Sequence, residues 1–503
     1  MATHQGPPAV MVQGAGSNVG KSLIVAGLCR VFSRRGLAVR PFKPQNMSNN
    51  AAATPEGGEI GRAQALQARA CGAPPSIHMN PVLLKPETDT GSQIIVQGQR
   101  FGTMRAREFG QRKSELLPAV MDSYAKLAAD ADMIIVEGAG SPAEVNLRAG
   151  DIANMGFAEA SNLPVIIAGD IERGGVIANL VGTHAVLPPS DRDRIKAFIV
   201  NKFRGDVSLF DGGMKAIADH TGWSPLGVIP FFSDARLLPA EDILDLDRSG
   251  NEPHPEDPEK SIKIVVPVMG RIANYDDLDP LKLEPGVDLV MAHRGRPLPR
   301  DADLIILPGS KSTVGDLIAL REEGWDIDIA AHIRQGGHVL GLCGGYQILG
   351  KTVDDPDGIE GHPGCHHGLG HLDVTTKLLP DKVVRPVTGQ HLVSNEPVIG
   401  YEIHIGRTDG PDCSRPVFKI EDRETGASST DGRIIGTYVH GVFGEDGFRR
   451  AFLNTIRRGI ASDVNYEATV EHTLNAFADH LEQSLDLERV REIAQAKCHS
   501  CSQ

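Results

Sequence analysis

The sequence predicts an α/β protein of two domains, each with a mainly parallel sheet flanked by helices. Three observations lead there: the chain is too long for one core, short apolar runs alternate with longer helix-like stretches, and one polar, proline-rich segment interrupts that alternation near the middle. Domains usually hold about 100 to 200 residues, so 503 residues ask for more than one core. The runs AVMV (9–12), MIIV (133–136), PVIIA (164–168) and AFIV (197–200) are short enough for buried strands, and each gives way to turn-forming or polar residues. A second series follows: IKIVVPV (262–268), DLVMA (288–292), DLIILPG (303–309), HVLGLCGG (338–345) and IIGTYVHG (434–441). The 56 Gly and 33 Pro suit many tight strand-to-helix turns.

Between the two series, DRSGNEPHPEDPEK has nothing to bury and reads as a linker over 247–260. It divides the chain into a domain at 1–246, a domain at 261–450 and a helical tail at 451–503, where Leu474, Phe477, Ala478, Leu481, Leu485 and Val490 recur at roughly helical spacing. That stripe reads as packing.

Charge and cysteine content narrow the function classes. With 51 Lys and Arg against 65 Asp and Glu, the formal charge is −14, which argues against a nucleic-acid partner, because phosphate backbones demand net positive surface. No apolar run reaches the roughly 18 residues of a membrane span, and the first residues lack a basic and apolar leader pattern. A cytoplasmic protein is expected. Seven Cys without a framework spacing fit a reducing compartment. Cys498 and Cys501 form one CxxC pair, too few ligands for a closed zinc site.

Chemistry concentrates at two places. In VMVQGAGSNVGKS (10–22), Gly14, Gly16 and Gly20 follow an apolar strand, and Lys21 and Ser22 open a helix-forming stretch. Such a loop turns backbone N–H groups, here with Ser17 and Asn18, toward phosphate oxygens; the lysine adds mobile charge and the serine hydroxyl can ligate Mg²⁺. The loop is one residue longer than the usual GxxxxGK[ST] spacing. MIIVEGAG (133–140) ends a strand in Glu137, where a carboxylate could share Mg²⁺ with Ser22. AFIVNKFRGD (197–206) ends a strand in Asn201, a candidate reader of a nucleotide base. In PFKPQNMSNN (41–50), Lys43, Gln45 and Asn46 gather amides and a cation that could hold substrate carboxylates; a resemblance described below adds Lys85 to them.

The second place is GHVLGLCGGYQILG (337–350). Cys343 sits where an apolar strand turns into a helix, and Gly341 and Gly345 permit the sharp turn that exposes a nucleophile. Almost a hundred residues later a strand ends in His440, a base for that thiol, and Gly309 and Ser310 in LPGSKST (307–313) offer backbone N–H groups to an oxyanion.

The extended glycine loop, VEGAG, the strand-end Asn and the downstream LGVIP (226–230) together resemble the dethiobiotin-synthetase-like ATPases, and the Cys–His pair resembles the class I-like, triad-type glutamine amidotransferases. Fused, the two resemble the cobyrinate-amidating synthases of cobalamin biosynthesis. PFKPQNMSNN, MNPVLLKP (79–86), GSQIIVQG (91–98), DIERGGV (170–176), NKFRGD and GYEIHIGRT (400–408) are similar to the cobyric acid synthase branch of that group. The resemblance implies ATP- and glutamine-dependent amidation of several peripheral carboxylates of a corrinoid, with Cys343 as nucleophile, His440 as base and Mg²⁺ at Ser22 and Glu137. It leaves the oligomeric state open. One position departs from the pattern: the triad Glu expected two residues after the histidine is Val442, which leaves Glu402 or the backbone to orient His440. Two alternatives share the architecture, namely another carboxylate amidase such as the a,c-diamide synthase, and a non-catalytic nucleotide switch with the same deviant loop.

Overall fold

The computed structural model describes residues 6–87, 91–239, 261–360, 363–460 and 463–496. The predicted linker at 247–260 and the Cys498–Cys501 pair lie outside the described residues. In the N-terminal half the apolar runs become a six-stranded, all-parallel sheet in the order 224–230, 195–203, 165–170, 9–14, 133–137, 39–42. Its central strands are sealed on both faces, as Val10, Met11 and Val12 at 0% exposure illustrate. That double burial is why they read as unbroken apolar runs rather than alternating ones. Helix α1 (Lys21–Arg34) follows the first strand and buries Ile24, Val25, Leu28, Val31 and Phe32.

The C-terminal half repeats the scheme. Strands 287–292, 262–267, 304–307, 338–342 and 434–437 lie parallel, with the short antiparallel strand 427–428 at the edge. A seven-stranded mixed sheet adds to this half, built on a long antiparallel hairpin of Thr375–His391 with Pro397–Asp409. The sequence reading did not anticipate it. Its strand 397–409 also pairs with Val439–His440, setting Tyr401 opposite His440 and Glu402 opposite Val439.

The tail helices return to the other end of the chain. Helices Tyr466–Ser484 and Leu487–Gln495 pack on the N-terminal half, where Leu474, Phe477, Leu481 and Val490 share one core with Ile24, Leu28 and Phe32 of α1. Gly27 makes the close approach possible, since a Cβ there would stand 2.7 Å from the Phe477 ring. Around this core, Arg30 and Arg69 both reach Glu471 at 2.7 Å. These two helices thus complete the N-terminal core, whereas Phe452, Leu453 and Ile460 at the start of the tail pack in the C-terminal core.

The halves also meet directly. Ala51, Leu83 and Ile95 of the first pack with Tyr401 and Ile403 of the second, and the Ala51 N–H donates to Asn274 Oδ1 at 3.2 Å. Lys311 pairs with Glu87 at 2.9 Å across the same seam. No helix among the described residues is long and apolar enough to cross a membrane.

Candidate active sites

The glycine loop lies at the end of the strand Ala9–Gly14, pointing at the N-terminus of α1. A Cβ on Gly14 would press into Val19, Lys21 and the Gly16 carbonyl, and Gly20 holds a φ of 91° that only glycine adopts readily. Ser17 and Asn18 form the exposed tip, with Asn18 left-handed at φ 57°. Lys21 curls back over the loop, donating to the carbonyls of Gly16 and Gly140 at 3.4 and 3.2 Å. Asn201, the candidate base reader, donates to the Val19 carbonyl at 2.8 Å, and Lys202 donates to that of Asn18 at 2.6 Å. In this structure these two residues brace the loop.

Glu137 is fully buried at the centre of a polar cluster. Its Oε1 accepts from Ser22 and Lys43, each at 2.7 Å, and its Oε2 from Gln67 at 2.6 Å and Gln64 at 3.3 Å. The two glutamines come from helix α2 (Arg62–Ala70). A buried carboxylate survives only with such a shell of donors and a cation. Ser22 and Glu137 present hard oxygen donors side by side, which suits Mg²⁺ shared with a nucleotide's phosphates.

The predicted substrate-carboxylate set does not hold together as a cationic patch. Lys43 is committed to Glu137. Lys85 is 2% exposed and pairs with Glu59 at 2.8 Å, and Lys382 from the other half pairs with the same Glu59. Lys85 is therefore an interface cation rather than a group open to a ligand. Burial pushes Lys382 down to about 7 despite Glu59. Asn46 is buried and donates to Gln64 at 3.0 Å, while Gln45 is half-buried.

In the C-terminal half, Cys343 ends the strand His338–Leu342 and caps the helix Gly344–Leu349 with φ 52° and ψ −105°. A non-glycine residue at positive φ stores strain, held here by the Cys343 N–H donating to the Thr437 carbonyl at 2.8 Å. Cβ atoms on Gly341 or Gly345 would collide with the Gly345 and Leu307 backbones, so the sharp turn requires both glycines. Gly309 lies against the His440 ring, and the Ser310 backbone against Gly344. Ser310 is fixed by its hydroxyl, which donates to Asp316 at 2.6 Å.

The group that orients His440 is Asp277. Its Oδ2 accepts from His440 Nδ1 at 2.7 Å, its Oδ1 from the Gly441 N–H at 2.5 Å, and both side chains are sealed from water. The carboxylate fixes the proton on Nδ1, and Nε2 is buried without a partner inside hydrogen-bond geometry. Burial alone would lower His440, but the Asp277 carboxylate, together with the Cys343 side chain, raises it to about 10. Glu402 is not that group: it faces away from Tyr401 and His440, and Arg385 and Arg423 hold it at 2.7 and 3.4 Å. Val442, where the triad glutamate was expected, is buried in the core. Asp277 escaped the sequence reading because it sits in a short 3-10 turn, Tyr275–Leu278, with no periodicity to read; the acidic run in NYDDLD was its one visible trace.

A model of the CobQ/CobB/MinD/ParA nucleotide binding domain matches residues 10–245, and a model of the CobB/CobQ-like glutamine amidotransferase domain matches 263–448. A cobyric acid synthase of Cereibacter sphaeroides is 60% identical over 480 residues, covering 95% of this chain and 98% of that protein. The chain belongs to the cobyric acid synthase family. Similar family members include a cobyric acid synthase of Ruegeria, 59% identical over 96% of this chain and 98% of its own length. Another, from Brucella canis, is 56% identical over 97% and 99%. Membership makes the chain a ligase of cobalamin biosynthesis that couples a nucleotide-binding domain to a glutamine amidotransferase domain.

Proposed function

We propose that the chain uses ATP and glutamine to amidate several peripheral carboxylates of adenosylcobyrinic acid a,c-diamide, giving cobyric acid. The observation that carries the reading is Cys343 on its strained turn beside the buried His440–Asp277 pair, in a chain whose other half carries a phosphate loop. Cys343 attacks the amide carbon of glutamine, and the backbone at Gly309 and Ser310 receives the oxyanion. His440 passes a proton to the departing ammonia, and water then frees glutamate from the thioester.

In the other half, an oxygen of the corrinoid carboxylate takes the γ-phosphoryl group of ATP, and ADP leaves. Ammonia attacks the acyl phosphate and expels phosphate, which a bare carboxylate oxygen could not match as a leaving group. Gly14 to Ser22 cradle the phosphates and Lys21 offsets the charge on the transferring group. Mg²⁺ at Ser22 and Glu137 would supply further neutralisation. Of the predicted substrate set, Gln45, partly exposed, is the residue proposed to meet the corrinoid.

Mass spectrometry of adenosylcobyrinic acid a,c-diamide incubated with the protein, ATP, Mg²⁺ and glutamine tests the reading. Successive conversions of carboxylate to amide are expected, and an unchanged substrate would overturn it.

A further inference from the structure

Helix α2 sends polar side chains to both sites. Gln64 and Gln67 reach Glu137, while Arg62, the first residue of the same helix, turns into the other half of the molecule. Its Nη2 lies 2.6 Å from Asp276 Oδ2 and donates to the Tyr401 hydroxyl oxygen at 2.6 Å and to the Ala51 carbonyl at 2.8 Å. The Tyr401 hydroxyl meets both Asp276 oxygens at 3.0 Å. The Tyr401 ring stacks on His440, with centroids 5.3 Å apart and planes at 16°. Asp276 is the chain neighbour of Asp277.

We propose that Arg62 is a positioning residue of the glutaminase centre, supplied by the nucleotide-binding half, whose clamp on Asp276 and Tyr401 holds the His440–Asp277 pair in working geometry. The inference rests on Cys343 and His440 being the glutaminase pair. Asp276 and Asp277 are adjacent buried carboxylates and repel. The direct contacts divide them: His440 holds Asp277, and Arg62 holds Asp276. Without the guanidinium, Asp276 loses its counter-charge and competes for a proton or for His440. Tyr401, which sets the plane of the imidazole, loses a donor at the same time. The other groups facing His440 are Asp277, Cys343 and His404. A residue outside the amidotransferase domain thus governs whether glutamine is hydrolysed, so ammonia is released where the synthetase half is docked to receive it.

The test uses the full chain with Arg62→Met, Arg62→Lys and Tyr401→Phe. It compares amidation supported by glutamine with amidation supported by ammonium, and follows the rate of Cys343 alkylation by iodoacetamide against pH. In Arg62→Met the glutamine-supported rate should fall about 10- to 100-fold, as on loss of an orienting partner. Its alkylation profile should shift while the ammonium-supported rate is kept. Arg62→Lys should recover part of the loss. Equal loss with both nitrogen sources would place Arg62 in the synthetase site, and an unchanged glutamine rate and profile would leave it a plain interface ion pair; either result overturns the proposal. Should Arg62→Met fail to fold, Arg62→Lys and Tyr401→Phe decide, and the proposal is wrong if both keep the full glutamine-supported rate. Glutamine hydrolysis persisting in Cys343→Ala would remove the glutaminase reading itself, a distinguishable failure.

Discussion

Asp277 and His440 stand 163 residues apart in the chain and 2.7 Å apart in space, as a buried carboxylate–imidazole pair. Replacing Asp277 with Asn keeps the burial that disfavours charge on His440 and removes the carboxylate that outweighs it. The glutamine-supported rate should drop about 10²- to 10⁴-fold, the upper end being the loss on the equivalent change in a serine-protease triad, with the ammonium-supported rate retained. Glu402→Gln should keep both. The sign of the stability effect follows from the direction of the shift. His440 is raised in the folded state, so the pair's stabilisation is complete below an ordinary imidazole value of about 6.5 and is lost as pH climbs through about 10. Urea unfolding of wild type at pH 6 and pH 10 should show that alkaline loss, and Asp277→Asn should lack it.

Cys343→Ala should separate the two halves of the chemistry. Glutamine no longer supports amidation, whereas ammonium at mildly alkaline pH, where more is free NH₃, does. His440→Ala should behave alike, because the pair acts as a unit. Undiminished glutamine-dependent activity in Cys343→Ala would make the thiol structural.

Lys21→Ala should abolish amidation with either nitrogen source, since the phosphoryl group loses its compensating charge. Glu137→Gln should do the same and also lower stability, because the Ser22, Lys43, Gln64 and Gln67 donors all lose the carboxylate they share. Rate assays with glutamine and ammonium, alongside thermal unfolding, check both effects. A Glu137→Gln protein as stable as wild type would show that an amide serves as well as the carboxylate at the centre of this cluster.

Phe477→Ala should destabilise the N-terminal half. The ring is 2% exposed and pressed against Gly27, and removing a buried phenyl group costs about 3–5 kcal/mol. Chemical denaturation should show this loss, although Phe477 lies in the last described tenth of the chain.

Local signals made the candidate site elements legible. The glycine loop, Cys343 between Gly341 and Gly345, and the strand ending in His440 are each marked within a few residues, and each lies at a strand end. Partnerships made over long range were not legible. Nothing near Lys85 announces Glu59, whose other partner, Lys382, is 323 residues further on. Glu402 looked suitable by type, but strand alternation turned it away once Tyr401 faced His440. Asp277 lies in an irregular turn where no pattern marks the direction of a side chain. The long hairpin 375–409 was missed because its residues are mixed polar and apolar without clean alternation.

The tail helices bear on the order in which the molecule can form. A ribosome delivers the phosphate loop and α1 first, yet the apolar face of α1 has to wait for Leu474, Phe477 and Leu481. Until some 450 later residues have been made, that face is uncovered and the nucleotide-binding half is an open core. Completion of that half therefore depends on residues made far later than its first strand, and a chain stopped before them would expose a sticky surface where the folded protein has a sealed one.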